Sequence, residues 1–157
     1  MITIDKDIVL IGLQADTKEA AIAKVVKKMA EHGYVEHEYY VAVIEREKDY
    51  PTGLPSEGVR TAVPHAFSDT VKKTGVGIAR LVSPVIFHNM ADKQEELPVE
   101  LIFVMANAGG EDAHINDLQE LMSVFSKKRL LLDLMNAQTT QEFADIFADC
   151  DSYTEEE

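Results

Sequence analysis

Residues 99–106, VELIFVMA, constrain the fold more than any other stretch of the chain, because a single charge, Glu100, interrupts an otherwise apolar and β-leaning run. Such a run reads as a central strand buried on both faces, and a strand of that kind needs a layer on each side. The remaining patterns supply those layers. Ile22, Val25, Val26 and Met29 recur at i, i+3, i+4, i+7, the spacing of one helix face. Ile115, Leu118, Met122 and Phe125 hold helical spacing, residues 129–136 form a leucine-rich helix, and Phe143, Ile146, Phe147 and Cys150 repeat the first pattern. Extended segments are expected at 7–14, 59–63, 75–82, 84–87 and 98–106. Helices before, between and after strands predict an α/β fold, a single domain with a mixed β-sheet flanked by helices on both faces. A chain of 157 residues fits one domain with one real core. Its expected extent is 1–150, with 151–157 a solvated, disordered acidic tail.

Local signals place the boundaries. Asp16 is read as an N-cap with Glu19 at capping-box spacing, and Gly33 as the stop of that helix. A second helix is expected over 37–48. The breaker-rich stretch Tyr50-Pro51-Thr52-Gly53-Leu54-Pro55-Ser56-Glu57-Gly58 is read as loop. Thr139 is read as the cap of the last helix, with Glu142 three residues on.

Charge narrows the partners. Lys and Arg number 15 against 28 Asp and Glu, a formal charge of −13. Nucleic-acid affinity rests on neutralising phosphates with Lys and Arg, so nucleic acid is not expected as a partner, nor is an anionic membrane surface. No apolar run approaches the ~18 residues of a membrane span, and the first residues lack a signal-peptide pattern. A cytoplasmic protein is expected. The single cysteine, Cys150, excludes a disulfide framework and a Cys-based zinc site.

The densest chemistry is Arg46-Glu47, then Pro51-Thr52-Gly53-Leu54, then Ala62-Val63-Pro64-His65. An Arg-Glu pair, a Thr-Gly loop and an Ala-aliphatic-Pro-His box in this order and spacing resemble the IIA component of the phosphoenolpyruvate-dependent sugar phosphotransferase system, fructose–mannitol type. The resemblance runs from the first strand to about Cys150. Pro51-Thr52-Gly53-Leu54, Pro84-Val85 and Pro98-Val99-Glu100-Leu101 look most like the galactitol-specific branch. The resemblance implies a phosphotransferase that works as a phosphocarrier. His65 would take a phosphoryl group from the histidine phosphocarrier protein HPr, on Nε2, and pass it to a cysteine of a sugar-specific IIB protein. The membrane IIC component would be engaged only indirectly, and no cofactor is implied. A second histidine near the first in the family corresponds to His114, expected to stabilise the phosphoryl group.

The residues themselves fit that role. Pro64 fixes its own φ, biases Val63 to extended backbone and ends strand pairing, so His65 is expected at a strand end and not buried. A free histidine is largely neutral near pH 7 and needs no strong base to act as nucleophile. Phosphoryl transfer is mostly positioning and charge stabilisation. Arg46 offers a planar cationic fork for phosphoryl oxygens, although an arginine at a helix end also suits the helix dipole. Thr52 and Gly53 are explained equally well as phosphoryl contacts or as turn residues. An isolated Pro-His pair is more often structural, and His114 alone would read as an exposed residue at a helix start. Leu54, Phe67 and Met90 are expected as an exposed apolar rim where protein partners dock. His32, His37 and His88 read as solvated or dipole-facing, Cys150 as a small core residue, and no metal site is expected from His65, His88 and His114. Two rivals share these residues: a regulatory IIA-like protein signalling nitrogen or carbon status through phosphorylation of His65, and a binding module that has lost its chemistry.

Overall fold

The computed structural model describes residues 2–155. Its frame is a long antiparallel hairpin of two 15-residue strands, β4 (Gly75–Asn89) and β5 (Asp92–Ala106). Three short strands attach to it: β1 (Val9–Leu13) runs parallel to β4, β3 (Thr61–Ala62) runs parallel to β5, and β2 (Gly53–Leu54) is antiparallel to β3 and meets β4 at Asn89. The sheet is therefore mixed, as expected. The helices are α1 (Lys18–Glu31), α2 (Tyr39–Asp49), α3 (Glu111–Phe125), α4 (Lys128–Asn136) and α5 (Thr140–Ala148).

The 99–106 run behaves as its composition requires. Ile102, Val104 and Ala106 pack into one core with Ile22, Val25, Met29 and Val43 of α1 and α2. Leu101, Phe103 and Met105 pack into a second core with Val124, Leu131, Phe143 and Phe147 of α3 to α5. The two-residue alternation of a strand thus serves both layers, and every residue from Leu101 to Ala106 is buried. Gly77 permits the approach of α1, since a Cβ there would lie 2.6 Å from Met29 Sδ and 2.7 Å from Val25 Cγ1.

Several boundaries differ from the sequence expectations, each for a local reason. The segments expected at 75–82 and 84–87 are one strand, β4. Between the pairs Arg80–Leu101 and Val85–Val99, residues 81–84 lie opposite Glu100 alone, so Pro84 sits in an exposed bulge where no ladder N–H is required. β5 begins at Asp92, seven residues before the apolar run, because its charged start is the solvent-exposed end of the hairpin. Gly53 and Leu54, read as loop, form β2. The cap of α1 is Thr17, not Asp16: Thr17 is extended and its Oγ1 accepts from Ala20 N at 3.1 Å, which puts Glu19 one position too early for a capping box. Thr139 does cap α5, accepting from Glu142 N at 3.0 Å. The tail is docked beyond residue 150: Cys150–Ser152 form a 3₁₀ turn, and Tyr153 packs on the second core and donates to Asp133 Oδ2 at 2.5 Å. Glu156 and Glu157 lie outside the described residues.

Candidate functional site

His65 lies three residues beyond the end of β3 and is carried by the centre of the sheet. Val63 N donates to Thr52 O at 3.3 Å, Met105 N donates to Pro64 O at 3.0 Å, and His65 itself bridges Met105 in parallel register. Pro64 thus ends donation along this segment while its carbonyl still accepts from β5. The hydroxyl of buried Tyr39 completes the mount, donating to Met105 O at 2.5 Å and accepting from Ala66 N at 3.2 Å.

His65 is not presented on the surface as its strand-end position suggested; only 4% of it is exposed. The pairing of both flanks to β5 draws it inward, and its ring lines a cavity of about 230 Å³ shared with Arg46, Tyr50, Thr52, Met90 and Lys93. His65 Nδ1 lies 2.6 Å from Val63 O. A carbonyl only accepts, so Nδ1 carries the proton and Nε2 keeps its lone pair. Burial depresses the His65 pKa to about 4; the Val63 hydrogen bond opposes the shift, and the charges of Arg46 and His114 reinforce it. The imidazole is therefore neutral throughout the physiological range.

His114, in the first turns of α3, joins His65 as expected: the ring centroids are 5.3 Å apart, inclined at 47°. It is buried, contrary to the solvated reading of a histidine near a helix start, and Phe67 meets its ring edge-on at 6.1 Å. Burial also lowers its pKa, helped by Arg46 and opposed by Asp117. Its buried Nδ1 has no hydrogen-bond partner among the described residues.

Arg46, on the last turn of α2, is exposed and lies with its guanidinium carbon 4.9 Å from the centre of the Tyr50 ring. Thr52 is placed otherwise than a phosphoryl contact would be. Its N–H and its hydroxyl both donate to buried Glu47, to Oε2 and Oε1 respectively, each at 2.8 Å. Gly53 is a sheet residue whose carbonyl accepts from Met90 N at 2.8 Å, and a Cβ on it would lie 2.6 Å from His88 O. Thr52 therefore builds the cavity wall with its donors committed to Glu47, and Gly53 behind it is committed to the hairpin. Of the expected rim, Phe67 is 65% and Met90 37% exposed, whereas Leu54 is half-buried against the second core. His88 stands 3.5 Å from Lys18 Nζ through Nδ1, and among the described residues no three His, Cys, Asp or Glu converge as metal ligands.

Sequence reading missed three contributors. Tyr39 lies within the helix expected over 37–48 but carries no signal of its own in the sequence. Tyr50, next to the Pro51 turn, carried a weak signal. Lys93 carried none, because its hairpin was not anticipated.

The comparisons agree with this architecture. Residues 2–150 match the family "Phosphoenolpyruvate-dependent sugar phosphotransferase system, EIIA 2". The chain belongs to that family. It is 31% identical over 137 residues to the fructose-specific EIIA component of Haloferax volcanii, covering 85% of this chain and 84% of that one. It is 30% identical over 143 residues to the mannitol-specific EIICBA component of Escherichia coli, covering 89% of this chain but only 21% of that protein. Among solved structures, the complex of enzyme IIA-mannitol and phosphorylated enzyme IIB-mannitol from Escherichia coli contains a similar chain with a TM-score of 0.78 and 26% identity, over 95% of this chain and 99% of that chain. The nitrogen regulatory protein IIA-Ntr of Neisseria meningitidis shares the fold, with a TM-score of 0.75 at 24% identity over 91% of this chain and 94% of that one. No helix among the described residues is long and apolar enough to cross a membrane.

Proposed function

We propose that the chain is a phosphocarrier of a sugar phosphotransferase system: His65 accepts a phosphoryl group from phosphorylated HPr and delivers it to a cysteine of a IIB protein. The observation that carries this reading is the Nδ1–Val63 carbonyl contact, which leaves a neutral imidazole with its Nε2 lone pair available beside His114 and Arg46. In the first step Nε2 attacks phosphorus. The Nε2–P bond forms as the donor's N–P bond breaks, and the electron pair returns to the donor nitrogen, with no net proton transfer. In the second step a cysteine thiolate attacks, the S–P bond forms, and the pair from the broken Nε2–P bond returns to Nε2. Both steps move an electrophile between good nucleophiles, so what the chain supplies is alignment and charge. Arg46 counters the phosphoryl oxygens, and His114, with a buried nitrogen unpartnered, hydrogen-bonds to them. The surrounding Phe67 and Met90 receive the two protein partners.

The finer assignment is galactitol, with the membrane IIC component engaged through IIB. It rests on the Pro51-Thr52-Gly53-Leu54, Pro84-Val85 and Pro98–Leu101 variants; the relatives described above are mannitol- and fructose-specific. The experiment is phosphorylation of the purified chain with phosphoenolpyruvate, enzyme I and HPr, followed by discharge onto galactitol-, mannitol- and fructose-type IIB proteins. One acid-labile equivalent that passes fastest to the galactitol IIB is expected. An acid-stable adduct, or none, would reject the carrier reading. A charged protein that discharges onto none of the IIB proteins would favour the regulatory alternative.

A further inference from the structure

Two cations at the His65 cavity stand without a carboxylate. Arg46 and Lys93 both lie over the Tyr50 ring, 4.9 Å and 5.6 Å from its centre, and among the described residues neither side chain forms an ion pair or a hydrogen bond. Most of the chain's 15 Lys and Arg form no ion pair among the described residues, so what sets these two apart is the ring and the cavity they share. Glu47, next to Arg46 in sequence, spends both oxygens on Thr52. Two like charges sharing one ring repel, and each cation–π contact at an exposed site returns only ~0.5–1 kcal/mol.

The position of Lys93 is built, although the side chain is exposed. The hairpin tip is fastened to β2 by Met90 N donating to Gly53 O at 2.8 Å. Within the tip, buried Asn89 accepts from Ala91 N at 2.8 Å and donates to Glu95 at 2.5 Å. Only glycine at residue 53 lets the two backbones come this close. The tip therefore holds Lys93 over the same cavity that His65 lines.

We infer that Lys93 is a second phosphoryl-binding cation, which with Arg46 contacts the oxygens of the group carried on His65 while Tyr50 keeps the two side chains together beforehand. This rests on the carrier reading. Lys93 gives up no proton; it remains an ammonium ion and balances charge on the phosphoryl oxygens during both transfers.

The test is single-turnover transfer from phosphorylated HPr to the full-length chain, read as a saturating rate and a half-saturating HPr concentration, for wild type, Lys93→Met and Lys93→Arg. All three are expected to take one equivalent and to keep the wild-type denaturation midpoint. Lys93→Met should lower the saturating rate about tenfold, less than the ~10²–10³ of a buried donor because the ammonium is exposed and screened, with half-saturation changed less than about twofold. Lys93→Arg should recover most of the rate. A wild-type saturating rate in Lys93→Met overturns the inference and leaves the carrier reading intact. A change confined to half-saturation also overturns it, since Lys93 would then meet the partner protein and not the phosphoryl group. Failure of wild type to take any phosphoryl group would instead remove the carrier reading itself.

Discussion

Glu47 holds Thr52 by both of its donors, the main-chain N–H and the side-chain hydroxyl, each at 2.8 Å. Both residues are 2% exposed, so this pair fixes the start of the loop that walls the His65 cavity. Burial raises the Glu47 pKa, and the two hydrogen bonds from Thr52 pull it back. Glu47→Ala leaves both Thr52 donors unpaired in the interior. A loss of about 2–4 kcal/mol in urea unfolding is expected, with Glu47→Gln retaining part of it.

Nucleophile and helpers should separate cleanly. His65→Ala is expected to accept no acid-labile phosphoryl group. His114→Ala should slow charging by ~10²–10³, as removal of one buried charge-stabilising donor does, and Arg46→Ala, whose side chain is exposed and screened, by about tenfold or more; both should still reach a detectable phosphoprotein. Arg46→Lys should recover only part of the rate, since it keeps the charge and loses the fork. Stoichiometric charging of His65→Ala with none in His114→Ala would reverse the two roles.

Tyr39→Phe removes one hydroxyl from a fully buried side chain and strands Ala66 N and Met105 O. The expected cost is about 1–3 kcal/mol, measured by denaturant unfolding. The segment carrying His65 should also show faster amide exchange at Ala66 than in wild type.

Stability should depend on pH through His65. Folded, burial holds its pKa near 4, against about 6.5 in the unfolded chain. Between those values the unfolded chain binds more protons, so wild type loses stability as pH falls from 6.5 towards 4; the loss is absent above 6.5 and levels off below 4. A His65→Gln variant lacks this group, and the difference in unfolding free energy between the two proteins should shrink or reverse across that window, by at most ~3 kcal/mol. A difference that stays flat from pH 7 to 4 would show that His65 is not held neutral by the fold.

Phe67 is 65% exposed beside His114, which suits an apolar docking contact. Phe67→Glu is expected to raise the half-saturating HPr concentration without moving the denaturation midpoint. Unchanged transfer kinetics would remove Phe67 from the docking rim.

The elements that sequence made legible are those whose side chains report a period. The 99–106 run, the α1 face from Ile22 to Met29 and the Thr139 cap all follow from residue type and spacing. What stayed hidden depends on backbone pairing between distant segments. Asp92 to Glu96 look like loop because their charges face water at the end of a ribbon, and Gly53 and Leu54 look like turn because breaker residues also serve close strand approach. The site divides in the same way. Arg46, His65 and His114 are visible by motif, while the burial of His65 comes from pairing to Met105, forty residues away in sequence. Lys93 depends on a hairpin that its own residues do not announce.

Each wall of the His65 cavity arrives from a separate stretch of chain: the end of α2, the loop before β2, the segment after β3, the β4–β5 tip and, through Leu118, α3. None of these stretches encloses the imidazole by itself, and Met105, which seats it, is itself held by Tyr39 at the start of α2. A partly folded or truncated chain thus exposes an ordinary histidine with an ordinary affinity for protons. Low basicity and a fixed tautomer are acquired at the moment the distant segments dock, which makes the chemistry of this one ring a gauge of whether folding has finished.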